Sequence, residues 1–222
     1  SAVIRRIKGN TSVWGQYAKN PIFADGTANW GSNGAALSVN SNGGVNFVTT
    51  SSSSQSINQV LTDAIPKGHK VLIVIDYKRN TTTPLDVLFY LRKSSGGFDQ
   101  AIIYNVADSN RRVESVIITT TDAIMSTTSS SLLVCPMMNG ASGLTAIIYS
   151  INVFDLTAIF GAGNEPSTLE EFKRSCPDSY YPYCKPEIRN MRALGIETVS
   201  ANAIDKDSTE SGVVNADGTI VD

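Results

Sequence analysis

Apolar and polar residues alternate with a period of two along most of the chain, from about residue 35 to residue 154. Glycine, serine, asparagine or proline interrupts the alternation every ~8 to 12 residues, as turns do in an all-β domain. The pattern predicts an antiparallel all-β fold, a two-sheet β-sandwich. The predicted strands are residues 36–39, 45–50, 56–61, 70–78, 86–93, 100–106, 113–120, 132–138 and 145–154.

The period changes after residue 154, which predicts a short helical appendage behind the last strand. Asp155 is placed to cap a short turn that runs to Phe160 and ends at Gly161. Ser167-Thr168-Leu169-Glu170 matches a capping box, with Ser167 as the cap, and Pro177 is placed to stop the helix that follows. The appendage is therefore expected to consist of two short helical pieces.

These changes divide the chain into four expected parts. Residues 1–19 form an N-terminal strand or connector, 20–157 the β-sandwich, 158–186 the appendage packed on it, and 187–222 a C-terminal extension or the start of a further β module. At 222 residues the chain can bury a core without metal or disulfide staples. The segment 187–222 is too short for its own core, so it is expected to pack on the sandwich, pair with another chain or begin that module.

Charge argues against nucleic acid and membranes as partners. The chain has 18 Lys and Arg against 20 Asp and Glu, a net charge of −2, so it has no overall positive field to attract phosphates. No apolar run approaches the ~20 residues that span a bilayer, and the N-terminal residues lack the apolar stretch of a signal peptide.

Few residues support catalytic chemistry. His69 is the single histidine; it follows Pro66-Lys67-Gly68 and is expected to be a solvated turn residue, so neither a triad nor a histidine-based zinc site can be assembled. A pair of carboxylates can cleave glycans, but no pair stands out among the 20 acids, and we expect no enzyme. Cys135 is expected in the core. For Cys176 and Cys184 the sequence leaves two alternatives open, a disulfide bridge or two separate thiols, and the distance between them decides.

The outer faces of the sandwich offer a binding surface. Aromatic rings stack on sugars, while acids, amides and arginine bind their hydroxyls. Asp76, Lys78, Tyr90 and Arg92 occupy outer positions of two strands and could form one groove with an aromatic platform; the alternative, commoner in sheets, is a cross-strand salt bridge beside a half-buried tyrosine. Trp30 is either a core anchor, which its position favours, or a stacking ring on a loop.

Two segments carry a family resemblance. Residues 7–16, IKGNTSVWGQ, run into residues 20–30, NPIFADGTANW. They resemble the N-G-x-F-x-D-G-T-x-x-W opening of carbohydrate-binding-module-like jelly rolls in tail-associated and receptor-binding proteins of gut bacteriophages and prophages. Residues 154–172, FDLTAIFGAGNEPSTLEEF, followed by YYPY at 180–183, are similar to the segment that closes the same jelly roll.

The resemblance implies a concanavalin-like or galactose-binding-like jelly roll in a virion, or on an extracellular or bacterial cell surface. It implies a non-catalytic protein that binds bacterial surface polysaccharide for host attachment, contacts other virion proteins and forms a homo-oligomer, expected to be a trimer. The alternative is a structural virion adaptor that mediates assembly. No cofactor is implied except a structural calcium, for which Asp25 and Asp155 stand in the corresponding places; carbonyl groups would have to supply the remaining oxygens.

Overall fold

The computed structural model describes residues 16–125, 130–177, 181 and 183, together with the backbone of four short strands nearer the termini. The strands are β1 (Ile4–Ile7), β2 (Asn10–Val13), β3 (Gly31–Asn33), β4 (Ala36–Val39), β5 (Val45–Val48), β6 (Ser56–Gln59), β7 (Lys70–Arg79), β8 (Leu85–Arg92), β9 (Phe98–Val106), β10 (Arg112–Thr119), β11 (Leu132–Met138), β12 (Thr145–Asp155), β13 (Val213–Val214) and β14 (Ile220–Val221), and the helices are α1 (Leu156–Phe160) and α2 (Leu169–Ser175).

The predicted all-β fold is confirmed, because two five-stranded antiparallel sheets make up the body of the molecule. The first sheet, which we call the front sheet, has the strand order β10-β7-β12-β5-β4. The second, the back sheet, has the order β3-β6-β11-β8-β9. Each of the nine predicted strands corresponds to an observed strand, and β3 is the one within the sandwich that the pattern missed. It reads Gly-Ser-Asn and contains no β-branched or aromatic residue.

The core lies between the two sheets and is built from alternate positions of their strands. On β7 the inward residues include Val71, Ile73 and Ile75, which are fully buried. Val87 and Phe89 of β8 face them from the back sheet and are equally buried. Burying each such side chain contributes about 1.5–3 kcal/mol. Because turning a strand over would expose all of its apolar side chains at once, the period-two pattern determines which face of each strand points inward.

A buried arginine joins the two sheets at one end of this core. Arg79, at the end of β7, is 1% exposed, and its guanidinium donates to the carbonyl oxygens of Leu85 and Val106 in the back sheet. The Tyr77 ring lies beneath it, 5.9 Å from the guanidinium carbon. Burial raises the pKa of Tyr77 to about 12, so its hydroxyl stays neutral at physiological pH.

The helical appendage covers half of the outer face of the front sheet. Leu72 and Val74 point outward from β7 but are buried, because a second apolar cluster packs on them. Its other buried members come from the end of β12 and from the two helices: Phe154, Leu156, Ile159, Phe172 and Cys176. The appendage predicted behind the last strand is therefore present, and an apolar stripe on the sheet holds it in place.

Asp155 fixes the start of the appendage. Its carboxylate is fully buried and accepts a hydrogen bond of 2.9 Å from the backbone N–H of Ala158, so it caps α1 as predicted. The same carboxylate lies 2.8 Å from Nδ1 of His69. The prediction that His69 is a solvated turn residue is wrong, since its ring is the side-chain partner of a buried acid 86 residues away in the chain.

The rest of this segment is also structural. The Thr157 hydroxyl accepts from the backbone N–H of Lys70 and donates to Glu165, and the Glu165 carboxylate in turn accepts from the backbone N–H of Gly163. The cap of α2 is Thr168, which accepts from the backbone N–H of Glu171, so the predicted cap at Ser167 is one residue too early.

Two of the three cysteines lie in the described part of the chain. Cys135 is buried in the back sheet, as predicted, and burial raises the pKa of its thiol to about 11. Cys176 is buried under the appendage, and its carbonyl oxygen accepts from the Tyr181 hydroxyl. Cys184 lies outside the described residues, so the Cys176–Cys184 bridge stays a prediction. No helix in the described part is long and apolar enough to cross a membrane.

Candidate functional site

A groove crosses the half of the front sheet that the appendage leaves open. Its central row runs over four strands in register, from Ser38 on β4 through Asn46 on β5 and Ile147 on β12 to Lys78 on β7. All four side chains point outward, because their chain neighbours on β5, β12 and β7 belong to the core. The groove encloses about 420 Å³, which lies within the ~300–1,000 Å³ range of small-molecule sites.

A second row completes the groove. Val48 on β5 lies opposite Thr145 on β12, and Asn80, just after β7, donates its backbone N–H to the Thr145 carbonyl oxygen. Val48 and Ile147 are half-buried and supply the apolar part of the lining, while amides and hydroxyls lie on both sides of them. Such a surface can receive the C–H face of a sugar ring on its floor and bind hydroxyls at its edges.

Hydrogen bonds within the protein orient the amide of Asn46. Its oxygen accepts from the Asn40 side chain at 2.6 Å, and its nitrogen donates to the Ser38 hydroxyl at 3.2 Å. Because the Ser38 oxygen accepts this bond, its hydroxyl proton can point toward the solvent and donate to an oxygen of a ligand. This edge of the groove is therefore held in one orientation before any ligand arrives.

Beside the groove, Asp76 is engaged by an arginine that the sequence analysis did not consider. The Arg111 guanidinium donates to both Asp76 carboxylate oxygens, at 2.9 and 2.7 Å. Its carbon also lies 3.8 Å from the ring centroid of Tyr149, at the bulge in β12. The hydrogen bonds to Asp76 raise the pKa of Arg111 above its ordinary value, so the guanidinium stays protonated.

The structure does not bring the four predicted residues into one groove. Asp76 and Lys78 lie on the outer face of the front sheet, whereas Tyr90 and Arg92 lie on the outer face of the back sheet, with the core between the pairs. The expectation of one shared groove is therefore wrong. The pattern gave the face of each strand but not the sheet to which the strand belongs. Asp76 does form an ion pair, but with Arg111, which precedes β10, and not with one of the predicted residues.

On the back sheet, Tyr90 and Arg92 are occupied by protein neighbours. The Tyr90 ring packs against Phe98 with centroids 4.9 Å apart, and the Arg92 guanidinium lies over the same Phe98 ring at 4.7 Å. Arg92 also donates to the Ser130 carbonyl oxygen at 3.0 Å. This cluster lines no part of the groove on the front sheet.

Trp30 belongs to the core. It is 7% exposed, packs against Phe23 with ring centroids 5.4 Å apart, and donates its indole N–H to the Asn20 carbonyl oxygen. Of the two expectations, the core anchor is therefore confirmed, and the ring is not open for stacking on a sugar. The Asn20 side chain donates to carbonyl oxygens at Gly26 and Ala28, so residues 20–30 of the first resembling segment form a loop held by its own hydrogen bonds.

The two acids suggested for calcium do not fit a shared ion site. The Asp155 carboxylate is filled by protein donors, the Ala158 N–H and the His69 ring, so a cation there would meet N–H groups. Asp25 is exposed, and the hydrogen bonds at this residue run through its backbone. No group of three or more His, Cys, Asp or Glu residues in the described part of the chain is arranged to hold a metal.

Most residues of the groove were missed at the level of sequence. Asn46 and Thr145 are ordinary outward positions of predicted strands, and Asn80 follows one. What makes them a site is the register between β4, β5, β12 and β7, which are far apart in the chain. A weak signal exists, since Asn46 interrupts an otherwise apolar strand between Val45 and Phe47.

Comparison with known proteins bears on the fold. No family model matches the sequence, and no curated protein is significantly similar to it. Among solved structures, the second N-terminal cellulose-binding domain of β-1,4-glucanase C from Cellulomonas fimi matches with a TM-score of 0.50 and 10% identity, over 64% of this chain and 95% of that domain. An arabinose-bound GH51 α-L-arabinofuranosidase matches with a TM-score of 0.50 and 12% identity, over 63% of this chain and 26% of the enzyme.

These matches confirm the expected jelly roll of the carbohydrate-binding-module type. The chain spans nearly all of the cellulose-binding domain but only about a quarter of the arabinofuranosidase. At such low identity the likeness is one of fold alone. The bacteriophage part of the resemblance stays a prediction.

Proposed function

We propose that this chain is a non-catalytic glycan-binding module and that its site is the groove on the front sheet. The observation that carries the proposal is the lining of that groove, where two apolar residues, Val48 and Ile147, lie between hydroxyl and amide groups on four neighbouring strands. Among the described residues of the lining, none is Asp or Glu. The carboxylate pair that glycoside hydrolysis requires is thus not part of this lining, which supports binding rather than cleavage.

The front groove is a better site than the Tyr90–Phe98 cluster on the back sheet. A sugar needs a concave surface with free hydrogen-bonding groups, and the front groove supplies about 420 Å³ of such space. In the back-sheet cluster, Tyr90 packs against Phe98 and Arg92 lies over the Phe98 ring, so these groups already have protein partners. Both surfaces can be tested in one experiment, because each offers a residue that can be shortened without opening the core.

The test is a glycan array followed by calorimetry on the best glycan. Ile147→Ala and Asn80→Ala should each weaken binding by about fivefold or more, since each removes a contact of the order of 1 kcal/mol. Tyr90→Ala and Gln100→Ala, on the outer face of the back sheet, are the matched controls and should bind like the wild type. Loss of binding in the back-sheet variants alone would move the site to the back sheet. Absence of any saccharide binding would refute the function.

We extend the proposal to host attachment by a phage tail or head appendage, on the strength of the two resembling segments. In that setting the protein is a virion or cell-surface component whose partner is a bacterial surface polysaccharide. Several copies, a trimer in the simplest case, would convert weak single contacts into firm attachment. Purified protein should then compete with phage for adsorption to host cells, and the Ile147→Ala variant should compete less well.

One observation favours the structural-adaptor function as a second candidate. The strand β9 carries two exposed aromatic residues, Phe98 at 37% and Tyr104 at 66% exposure, and among the described strands it is the last in the back sheet. Exposed rings on an unpaired edge strand suit contact with a neighbouring protein by strand addition. If this function holds, Tyr104→Ser should change the oligomeric state or assembly in light scattering while leaving glycan binding unchanged.

A further inference from the structure

The groove carries an uncompensated positive charge. Lys78 is exposed at one end of its central row, and within the described part of the chain it forms no ion pair. Seven other lining residues are neutral: two asparagines, a serine, a threonine and three apolar residues. The remaining one, Arg79, is a cation, but its guanidinium points into the core and donates to backbone carbonyls there. A ligand in the groove therefore meets one cation and no anion.

Asp76, an acid on the same face of β7, does not neutralise Lys78. Asp76 lies two residues earlier on β7, roughly 7 Å along the strand. Both of its carboxylate oxygens accept hydrogen bonds from Arg111, so Asp76 and Arg111 together are close to neutral. The positive charge of Lys78 thus persists at the groove, within the ~8 Å over which it acts at physiological ionic strength.

We infer that the groove selects anionic glycans, with an acidic group of the sugar on the Lys78 ammonium and neighbouring hydroxyls on Asn80 and Thr145. The inference rests on the proposed function and names its ligand class. A neutral glycan gains the apolar floor and the amides but leaves the ammonium without a partner. An acidic glycan gains a charge-assisted contact as well, which at such an exposed position raises affinity about fivefold.

The test measures binding of five tetrasaccharides by calorimetry at low salt: galacturonate, mannuronate, a sulfated galactan, cellotetraose and xylotetraose. The acidic ligands should bind about fivefold more tightly than the neutral ones. Comparing the uronates with the sulfated galactan shows whether a carboxylate or a sulfate is preferred. Raising the salt to about 0.5 M should remove the advantage of the acidic ligands, because screening weakens the exposed ion pair.

Variants of Lys78 test whether its charge causes the preference for acidic ligands. Lys78→Met should lose the preference for acidic ligands and keep neutral binding, and Lys78→Arg should retain the preference. Lys67→Met is the matched control: it removes the same charge from an exposed turn that precedes β7, at the opposite end of that strand, and should behave like the wild type.

The outcomes separate the inference from the function on which it rests. Equal or tighter binding of the neutral tetrasaccharides would overturn the anionic preference and leave the glycan-binding function standing. A preference that persists in Lys78→Met would also overturn the inference, since the charge would then act elsewhere. Binding of none of the five, together with a negative glycan array, would overturn the proposed function and the inference with it.

Discussion

The contact between Asp155 and His69 makes a quantitative prediction about stability. Replacing Asp155 by alanine removes the cap of α1, which is worth about 1 kcal/mol, and the charge-assisted contact with His69, which is worth about 1.5–3 kcal/mol. The carboxylate is fully buried, so no water takes over these contacts without rearrangement. We therefore expect Asp155→Ala to lower the free energy of unfolding by about 3 kcal/mol, a large share of the 5–15 kcal/mol typical of a domain.

The two contributions can be separated by a conservative variant. Asparagine is as good a cap as aspartate, so Asp155→Asn should keep the bond to Ala158 and lose only the charged contact, about 1.5–3 kcal/mol. Combining Asp155→Asn with His69→Ala should cost clearly less than the sum of the single changes, with a coupling energy above about 1 kcal/mol.

The assay is urea unfolding of the full chain, followed by tryptophan fluorescence and analysed by linear extrapolation. Unchanged slopes across the variants would show that the free energies can be compared directly. An Asp155→Asn variant within about 0.5 kcal/mol of the wild type, or additive effects in the double variant, would refute the view that His69 and Asp155 act as a pair.

Three further predictions follow from single contacts. Gly44→Ala should cost at least about 2 kcal/mol in urea unfolding, because Gly44 has a φ of +79° and an added Cβ would lie 2.3 Å from a backbone oxygen of β12. Gly43→Ala is the control: Gly43 also has a positive φ, +93°, but an added Cβ would meet no neighbouring atom, so this variant should cost less. Burial raises the pKa of Tyr77 from 10.0 to about 12, so the stability that its neutral hydroxyl provides below pH 10 should be lost as the pH rises from 10 through 12. In a pH series of unfolding midpoints, Tyr77→Phe should not show this alkaline loss. Arg111→Met should lower stability by less than about 1 kcal/mol in the same assay, since the Arg111 side chain is 57% exposed, and a larger loss would contradict the view that this ion pair is weak.

The sandwich could be predicted because burial follows sequence directly in this fold. On β7, the inward residues Val71, Ile73 and Ile75 alternate with outward ones, and no other arrangement of a strand buries all three. β3 was not predictable in this way, because its three residues carry no apolar pattern and the strand exists through its pairing with β6.

The two resembling segments show what a motif can and cannot give. The Asp155 cap was predictable from local spacing, since its partner lies three residues away. Its contact with His69 was not, because 86 residues separate the two and only the packing of the turn before β7 against α1 brings them together. For the same reason the sequence left Trp30 with two alternatives, of which its burial selects the core anchor.

The groove was the least predictable part. Lys78 was singled out as an outward charge, but its neighbours come from strands whose order in the sheet is not encoded in any local pattern. Arg111, which neutralises Asp76, precedes β10 and was not connected with β7 at all. Pairing of distant strands, rather than the alternation within each, decides which polar side chains meet.

The position of the appendage has a practical consequence for anyone shortening this protein. Removing the chain after Asp155 would not widen the groove. It would expose to solvent the apolar stripe of Leu72 and Val74, which lies beside the groove on the front sheet. Such a fragment would expose a hydrophobic patch on the sheet and would tend to aggregate, which would cause non-specific retention on polysaccharide resins. Fragments intended for affinity work should therefore extend at least through Tyr181, which also packs on this cluster.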